Sequence, residues 1–363
     1  MIRPMKVLGR LILGVVLLAA TVWGSAALWF DGPASRLLAA LLAGAYALAT
    51  LMLLLRVRPV RRAYAGALVL FALLLGWWFS IEPSNDRDWQ TDVARLAYAD
   101  IDGNRVTVRN IRNFDYRSET DFTPSYYDKT FDISKLESID LVAVYWMGPA
   151  IAHTILSFGF EGGDHLAFSI ETRKEQGEAY STIKGFFKQY ELYYVVADER
   201  DVIRVRSNYR KDPPEDVYVY RLNGPIENGR SLFLEYIQQI NRLKDKPEFY
   251  NTLTDNCTTE IWMNTRVNPG HPALSWKILA SGYVPEYLHE VGRLAPGTPF
   301  DEVQSKAHIN GRAQAADQAA DFSRRIRIGI PGMEANTAPV GGLGRPTSSN
   351  AQPAESEHEP NPT

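Results

Sequence analysis

An α+β domain standing on three membrane helices is the fold class this sequence predicts, and three observations predict it. Three apolar runs lie before residue 82, a series of segments alternating apolar and polar residues follows, and helical spacing takes over near residue 229. Strands grouped ahead of helices point to a mostly antiparallel sheet packed on helices.

The apolar runs come first. At 363 residues, 45% hydrophobic and 22% charged, the chain has an ordinary composition only because two unlike parts are averaged. Leu11 to Phe30 carries no charge and has the length to cross a hydrocarbon core of about 30 Å. Leu37 to Leu55 repeats the pattern, and Ala63 to Ile81 closes on Trp77, Trp78 and Phe79, which suit a membrane interface. Trp29-Phe30-Asp31-Gly32 is a poor small-residue cleavage site, so the first run is expected to stay as a span. Arg3, Lys6 and Arg10 precede it, and Arg56, Arg58, Arg61 and Arg62 crowd the link between the second and third runs. Both clusters belong on the cytoplasmic side, which puts everything after Ile81 outside.

Residues 82–88 read as a linker, residues 89–331 as the working domain, and residues 332–363, rich in Pro, Ala, Ser, Asn and Glu, as a disordered tail. Period-2 segments at Arg105–Arg109, Asp140–Tyr145, Ala152–Phe160, His165–Glu171, Glu191–Val196, Val202–Arg206 and Asp216–Leu222 predict strands. From Gly229, the stripe Leu232, Phe233, Tyr236, Ile237, Ile240 and Leu243 predicts a helix, and shorter ones follow at Cys257–Thr265 and Pro285–Val291. A net charge of −3 gives no argument for nucleic acid as a partner, and no metal motif is present.

Cys257 is the one cysteine, so no internal disulfide can form. Thr254-Asp255-Asn256-Cys257-Thr258-Thr259-Glu260 has the grammar of a helix start, with Asp255 or Asn256 as cap. Free amides and the macrodipole there favour an anion and lower a thiol pKa. The alternative is a buried core cysteine, against which the polar neighbours on both sides argue.

A thiolate nucleophile needs a base held by a third polar group. His153 and His165 lie on two strands joined by Glu161-Gly162-Gly163-Asp164, a hairpin signal. An odd-numbered turn gathers Thr154, Leu156, Phe158 and Phe160 on one face with Leu166, Phe168 and Ile170. It leaves His153, Ser157, His165, Ser169 and Glu171 on the other. An even turn would put Glu171 and His165 among the phenylalanines, so burial selects the odd register, with His153 across from Glu171. His153 is therefore the expected base and Glu171 its orienting partner. A satisfied strand histidine, and a Glu171 paired with Arg173 or Arg204, are the alternatives. His165 is expected at the surface near the turn, roughly 20 Å from His153. Arg109, Arg112 and Arg117, interleaved with Phe114 and Tyr116, read as a solvated face, with an anion-binding rim as the alternative. Tyr193, Tyr194, Tyr218 and Tyr220 read as core aromatics on strands.

Several stretches resemble the N-terminal periplasmic domain family of Lnb-type lipoprotein N-acyltransferases, across about Asp86 to Pro331. They are Asn110-Ile-Arg-Asn-Phe-Asp-Tyr-Arg117, Ala152-His-Thr-Ile-Leu-Ser-Phe158, Phe168-Ser-Ile-Glu-Thr-Arg173, Tyr250-Asn-Thr-Leu-Thr-Asp-Asn-Cys-Thr-Thr259 and Ser281-Gly-Tyr-Val-Pro-Glu-Tyr-Leu288. The resemblance implies a circularly permuted papain-like fold of the NlpC type, in which the histidine strand precedes the cysteine helix. It also implies a periplasmic thiol acyltransferase of the inner membrane that needs no cofactor. Membrane phospholipid would be the acyl donor and a lipoprotein N-terminus the acceptor. Cys257 would carry the acyl group as a thioester, His153 would move the protons and Glu171 would orient the ring. Asn256, Ser157, Arg173 and Arg112 are secondary candidates for binding substrate or an oxyanion. A cysteine peptidase or amidase acting on cell-wall peptides would use the same dyad but a polar groove open to water. A non-catalytic tethered scaffold is the third reading.

Overall fold

The structure, a computed structural model, describes residues 2–333. Its first three helices, α1 (Ile2–Phe30), α2 (Arg36–Arg56) and α3 (Val60–Phe79), are long and apolar enough to cross a membrane over Leu8–Phe30, Arg36–Arg56 and Val60–Phe79. Their burial is inverted relative to a water-soluble bundle. Ala27, Ala39, Ala63 and Ala67 are buried, whereas Leu11, Val15, Val22, Leu37, Leu55 and Leu73 are exposed. Small residues at helix contacts and aliphatic ones outside are what a lipid solvent selects.

The strands are β1 (Tyr98–Asp102), β2 (Arg105–Arg112), β3 (Asp115–Tyr116), β4 (Phe122–Thr123), β5 (Tyr126–Asp132), β6 (Leu136–Tyr145), β7 (Ala152–Phe160), β8 (His165–Arg173), β9 (Glu191–Ala197) and β10 (Asp216–Arg221). The main sheet runs β1-β2-β9-β8-β7-β6-β10, with β5 also on β2, while β3 and β4 form a separate hairpin. All pairings are antiparallel except β2 with β9, which meet in parallel at Arg112 and Ala197, so the sheet is mixed. The following helices are α4 (Glu199–Arg204), α5 (Ile226–Asp245), α6 (Cys257–Thr265), α7 (Trp276–Leu279), α8 (Val284–Glu290), α9 (Phe300–Ala307), α10 (Asn310–Ala315) and α11 (Phe322–Ile326).

The expected stripe on α5 is buried from Leu232 to Leu243. Phe233 and Tyr236 set their rings edge-on to Phe158 and Phe168 at 5.2–6.1 Å between centroids. The opposite face of the sheet is not the polar surface its sequence suggests. Ile155, Ala167 and Val195 there form a second core with Val202, Ile203, Ile309, Phe322 and Ile326. With cores on both sides, every residue of β7 and β9 is buried.

Val202–Arg206, expected as a strand, is helical instead. Asp198 caps α4 by accepting from the Arg200 amide, and a π-helical turn spans Val205–Tyr209. All of Val202 to Arg206 is buried, so the alternation that suggests one wet face has no such face to report. The expected linker is docked: the Ser84 amide donates to Glu191 Oε1 at 3.1 Å and Asn85 Nδ2 to the Leu243 carbonyl at 2.8 Å. The expected tail starts later than residue 332, because Met333 is buried in the second core; its remainder, 334–363, lies outside the described residues.

Candidate active site

Cys257 opens α6, and the cap in front of it is complete. Asn256 Oδ1 accepts from the amides of Thr258 and Thr259 at 2.9 and 3.0 Å, and Thr259 Oγ1 accepts from the Asn256 amide at 3.0 Å. That is a reciprocal capping box, so Asn256 fixes the helix start. The cap uses the amides of Thr258 and Thr259, so Cys257 lies in the first turn with its own amide outside the capping box. α6 rests on β7 through Thr154 Oγ1 and Thr258 Oγ1, 3.1 Å apart, and on β9 through Tyr194, whose hydroxyl donates to Glu260 Oε2 at 2.9 Å.

The hairpin β7–β8 supplies the partners. Ile155 faces Ser169 and Gly159 faces His165, and the same register carried two residues further sets His153 opposite Glu171. His153 Nε2 lies 2.7 Å from Ser169 Oγ and 3.1 Å from Glu171 Oε1, while Ser169 Oγ donates to the same carboxylate oxygen at 2.7 Å. Ser169 therefore accepts from the imidazole and passes the bond on. With Nε2 committed to that pair, Nδ1 is the nitrogen left for the thiol. Arg206, 5% exposed, donates to Glu171 Oε1 at 2.8 Å and reaches Glu215 at 3.3 Å.

Charge follows from this arrangement. Burial pushes the Cys257 thiol up, but attraction to His153 and hydrogen bonds to it and to Thr154 overcome this, lowering it to about 7. Burial, the largest influence, and Arg206 push His153 down, but attraction to the Glu171 carboxylate and to Cys257, with the hydrogen bond to Cys257, together outweigh them and raise the ring to about 9. Glu171 is itself held well below its ordinary value by His153 and Arg206, against the opposing effect of burial. Since the thiol releases its proton below the pKa at which imidazolium does, the pair holds a thiolate and an imidazolium between about pH 7 and 9.

Backbone behind His153 is fixed by the Ser281-Gly282-Tyr283 turn. Ser281 Oγ accepts from the Ala152 amide at 2.9 Å, and Tyr145 donates its hydroxyl to the Gly282 carbonyl at 2.7 Å. A Cβ on Gly282 would stand 2.0 Å from the Pro149 carbonyl oxygen, so only glycine fits.

Of the secondary candidates, Asn256 caps the helix that Cys257 opens, and the other three are elsewhere. Ser157 is buried in the second core, donating to Glu199 Oε1 at 2.5 Å. Arg173 donates to the carbonyls of Val93 and Ala94 and lies 4.2 Å above the Trp89 ring, so it clamps the start of the domain. Arg112 forks onto Asp201, while Arg109 pairs with Asp100 and Asp128, and Arg117 with Asp121. The arginines do not converge. His165 is half-buried rather than a surface residue, with Nδ1 3.0 Å from the Gly163 carbonyl oxygen. Glu171 pairs with neither Arg173 nor Arg204 but with Arg206. Tyr193, Tyr194 and Tyr220 are buried, as expected for core aromatics. His308 Nε2 lies 3.2 Å from Asp216 Oδ1, and among the described residues no three metal-binding side chains cluster.

Ser169 and Arg206 are the site residues that the sequence reading leaves out. Ser169 shares a strand face with Glu171, and that signal was legible. Arg206 had none, because the segment carrying it reads as a strand.

Residues 122–282 match the family model of the Lnb N-terminal periplasmic domain. The resemblance drawn from the motifs is thereby shown over a segment that contains His153, Glu171 and Cys257. The Lnb match and the three apolar helices together describe a membrane-anchored chain with a periplasmic domain. No curated protein and no solved structure matches the chain.

Proposed function

We propose that this chain is a thiol acyltransferase of the bacterial inner membrane, with Cys257 as nucleophile, His153 as base and acid, and Glu171 as the orienting carboxylate. The observation that carries the proposal is the Cys257 thiol at a helix start, hydrogen-bonded to the His153 ring whose Nε2 is held by Ser169 and Glu171. A histidine strand ahead of a cysteine helix also supports a circularly permuted papain-like arrangement.

The chemistry runs in two halves. In the first, the Cys257 sulfur attacks the ester carbonyl of a phospholipid, and the helix-start position of Cys257 favours the negative charge that develops on oxygen. The ester C–O bond breaks, the glycerol oxygen takes the proton from His153, and a thioester remains. In the second, a lipoprotein amine attacks that thioester and gives its proton to His153. The C–S bond breaks and the thiolate is restored. Tethering by three helices favours a lipid donor over a soluble peptide substrate.

Mass spectrometry of lipoprotein N-termini from cells with and without the protein tests this. Loss of one acyl chain on deletion, restored by the native chain and not by Cys257→Ala, is the expected outcome. Unchanged N-termini would overturn the acceptor. Release of free fatty acid or peptide fragments by the purified chain, without amide formation, would favour hydrolysis.

A further inference from the structure

The loop between β8 and β9 runs onto the outer ends of the spans. Phe187 stacks on Phe30 and on Trp23, with ring centroids 4.9 and 6.3 Å apart. Trp23 is seven residues, about 10 Å of helix, below Phe30. Lys188 Nζ donates to the Ile81 carbonyl at 2.7 Å with its ammonium 4.7 Å above Trp78, and Gln189 donates to the Phe30 carbonyl at 2.9 Å. A ring seated between Trp23 and Phe30 is at the depth of the interfacial aromatic belt.

The residues just before it are at most about 13 Å of chain away. Ile183 and Phe186 are nevertheless 62% and 41% exposed. Leu253, 54% exposed, belongs to the same patch, because the Thr252 amide donates to the Gly185 carbonyl at 2.8 Å and its hydroxyl to the Thr182 carbonyl at 3.0 Å. Tyr180 completes it at 50%. Large apolar side chains in water each cost about 25 cal/mol per Å² left uncovered. Phe187 itself is buried against Trp23 and Phe30, so the apolar phase nearest the exposed side chains is the bilayer beside those spans, and the lysine stems of Lys184 and Lys188 suit the headgroup level.

We propose that Tyr180–Phe187 and Leu253 form an interfacial loop that dips into the outer leaflet beside the spans. Leu253 stands four residues before Cys257, so the loop is also the apolar rim by which a chain leaving the bilayer reaches the thiol. That second role rests on the lipid-donor reading above, whereas insertion does not.

The test uses the full-length chain in nanodiscs of phosphatidylethanolamine and phosphatidylglycerol. A Cys257→Ala background carries Ile183→Cys labelled with bimane, and Ser118→Cys in the β3–β4 hairpin is the control. Lipids with a nitroxide near the headgroup should quench the Ile183 label several-fold more than the Ser118 label, with aqueous iodide giving the reverse. Equal iodide quenching at both sites would overturn insertion. Shielding of Ile183 from both quenchers would mean that a protein covers the loop and would overturn it too. With native Cys257, the pair Ile183→Asp and Phe186→Asp should slow labelling by a membrane-partitioned maleimide about tenfold while leaving a water-soluble maleimide unchanged. No change, or equal loss with both reagents, would overturn the rim as an approach. Neither readout depends on acyl transfer taking place.

Discussion

One proton, shared between the Cys257 sulfur and the His153 imidazole, sets the reactivity of this site, and its neighbours decide where it rests. Alkylation of Cys257 by iodoacetamide should rise through about pH 7 and then stay level, since the thiolate persists above that pH. Acyl transfer also needs imidazolium to protonate the leaving oxygen, so its rate should fall again above about pH 9. His153→Ala removes the attraction that offsets burial, and the thiol pKa then rises. Fewer thiolates, partly compensated by a more basic sulfur, give alkylation about five- to tenfold slower at pH 7. Labelling at the native rate would dismiss the dyad. Glu171→Gln takes away the largest upward influence on His153, so the alkaline limb should move to lower pH, with turnover down about 10- to 100-fold.

At the scale of elements, the local pattern was sufficient where both sides of a pairing were close in sequence. The β7–β8 register follows from the parity of one turn, and α6 begins where the Asn-Cys-Thr-Thr cap says it should, so the placement of His153 across from Glu171 and of Cys257 at a helix start was legible. What the pattern could not supply were partners from distant segments. The second core over β7 hides the polar face that Ser157 suggests, and the segment that delivers Arg206 reads as a strand because its valine–arginine alternation suggests one wet face, whereas it is buried on every side. Arg206→Met removes a buried cation shared by two carboxylates. Glu171 keeps His153 and Glu215 keeps Arg210, so the cost should be about 2 kcal/mol, below the roughly 3–5 of an isolated buried charge. A positioning role is separable from that cost by pH. Arg206 opposes protonation of His153, so its loss should move the alkaline limb upward, opposite to Glu171→Gln. A limb that stays in place in a folded Arg206→Met protein would reduce Arg206 to packing.

For the molecule as a whole, the end of the described chain is tied back under the sheet that holds the site. Arg327, 1% exposed, donates to Glu199 at the start of α4 at 2.5 Å and to Asp140 on β6 at 2.8 Å, joining three parts of the domain in the second core. Asp140 has Arg221 as another partner, but Glu199 is left with the Ser157 hydroxyl and attraction to the His165 ring if Arg327 goes. Arg327→Met should therefore cost about 3–5 kcal/mol at neutral pH, with Glu199 the principal orphan. The pH sign follows from Glu199, whose pKa is held far below its ordinary value in the native chain by Arg327, against burial. Its contribution is present above the unfolded value near about 4.3 and lost as pH falls towards the folded one. The gap in melting temperature between native protein and Arg327→Met should thus be widest at neutral pH and narrow below about pH 4. A gap that stays constant from pH 7 to 4 would mean that Arg327 holds the domain by packing and not by charge.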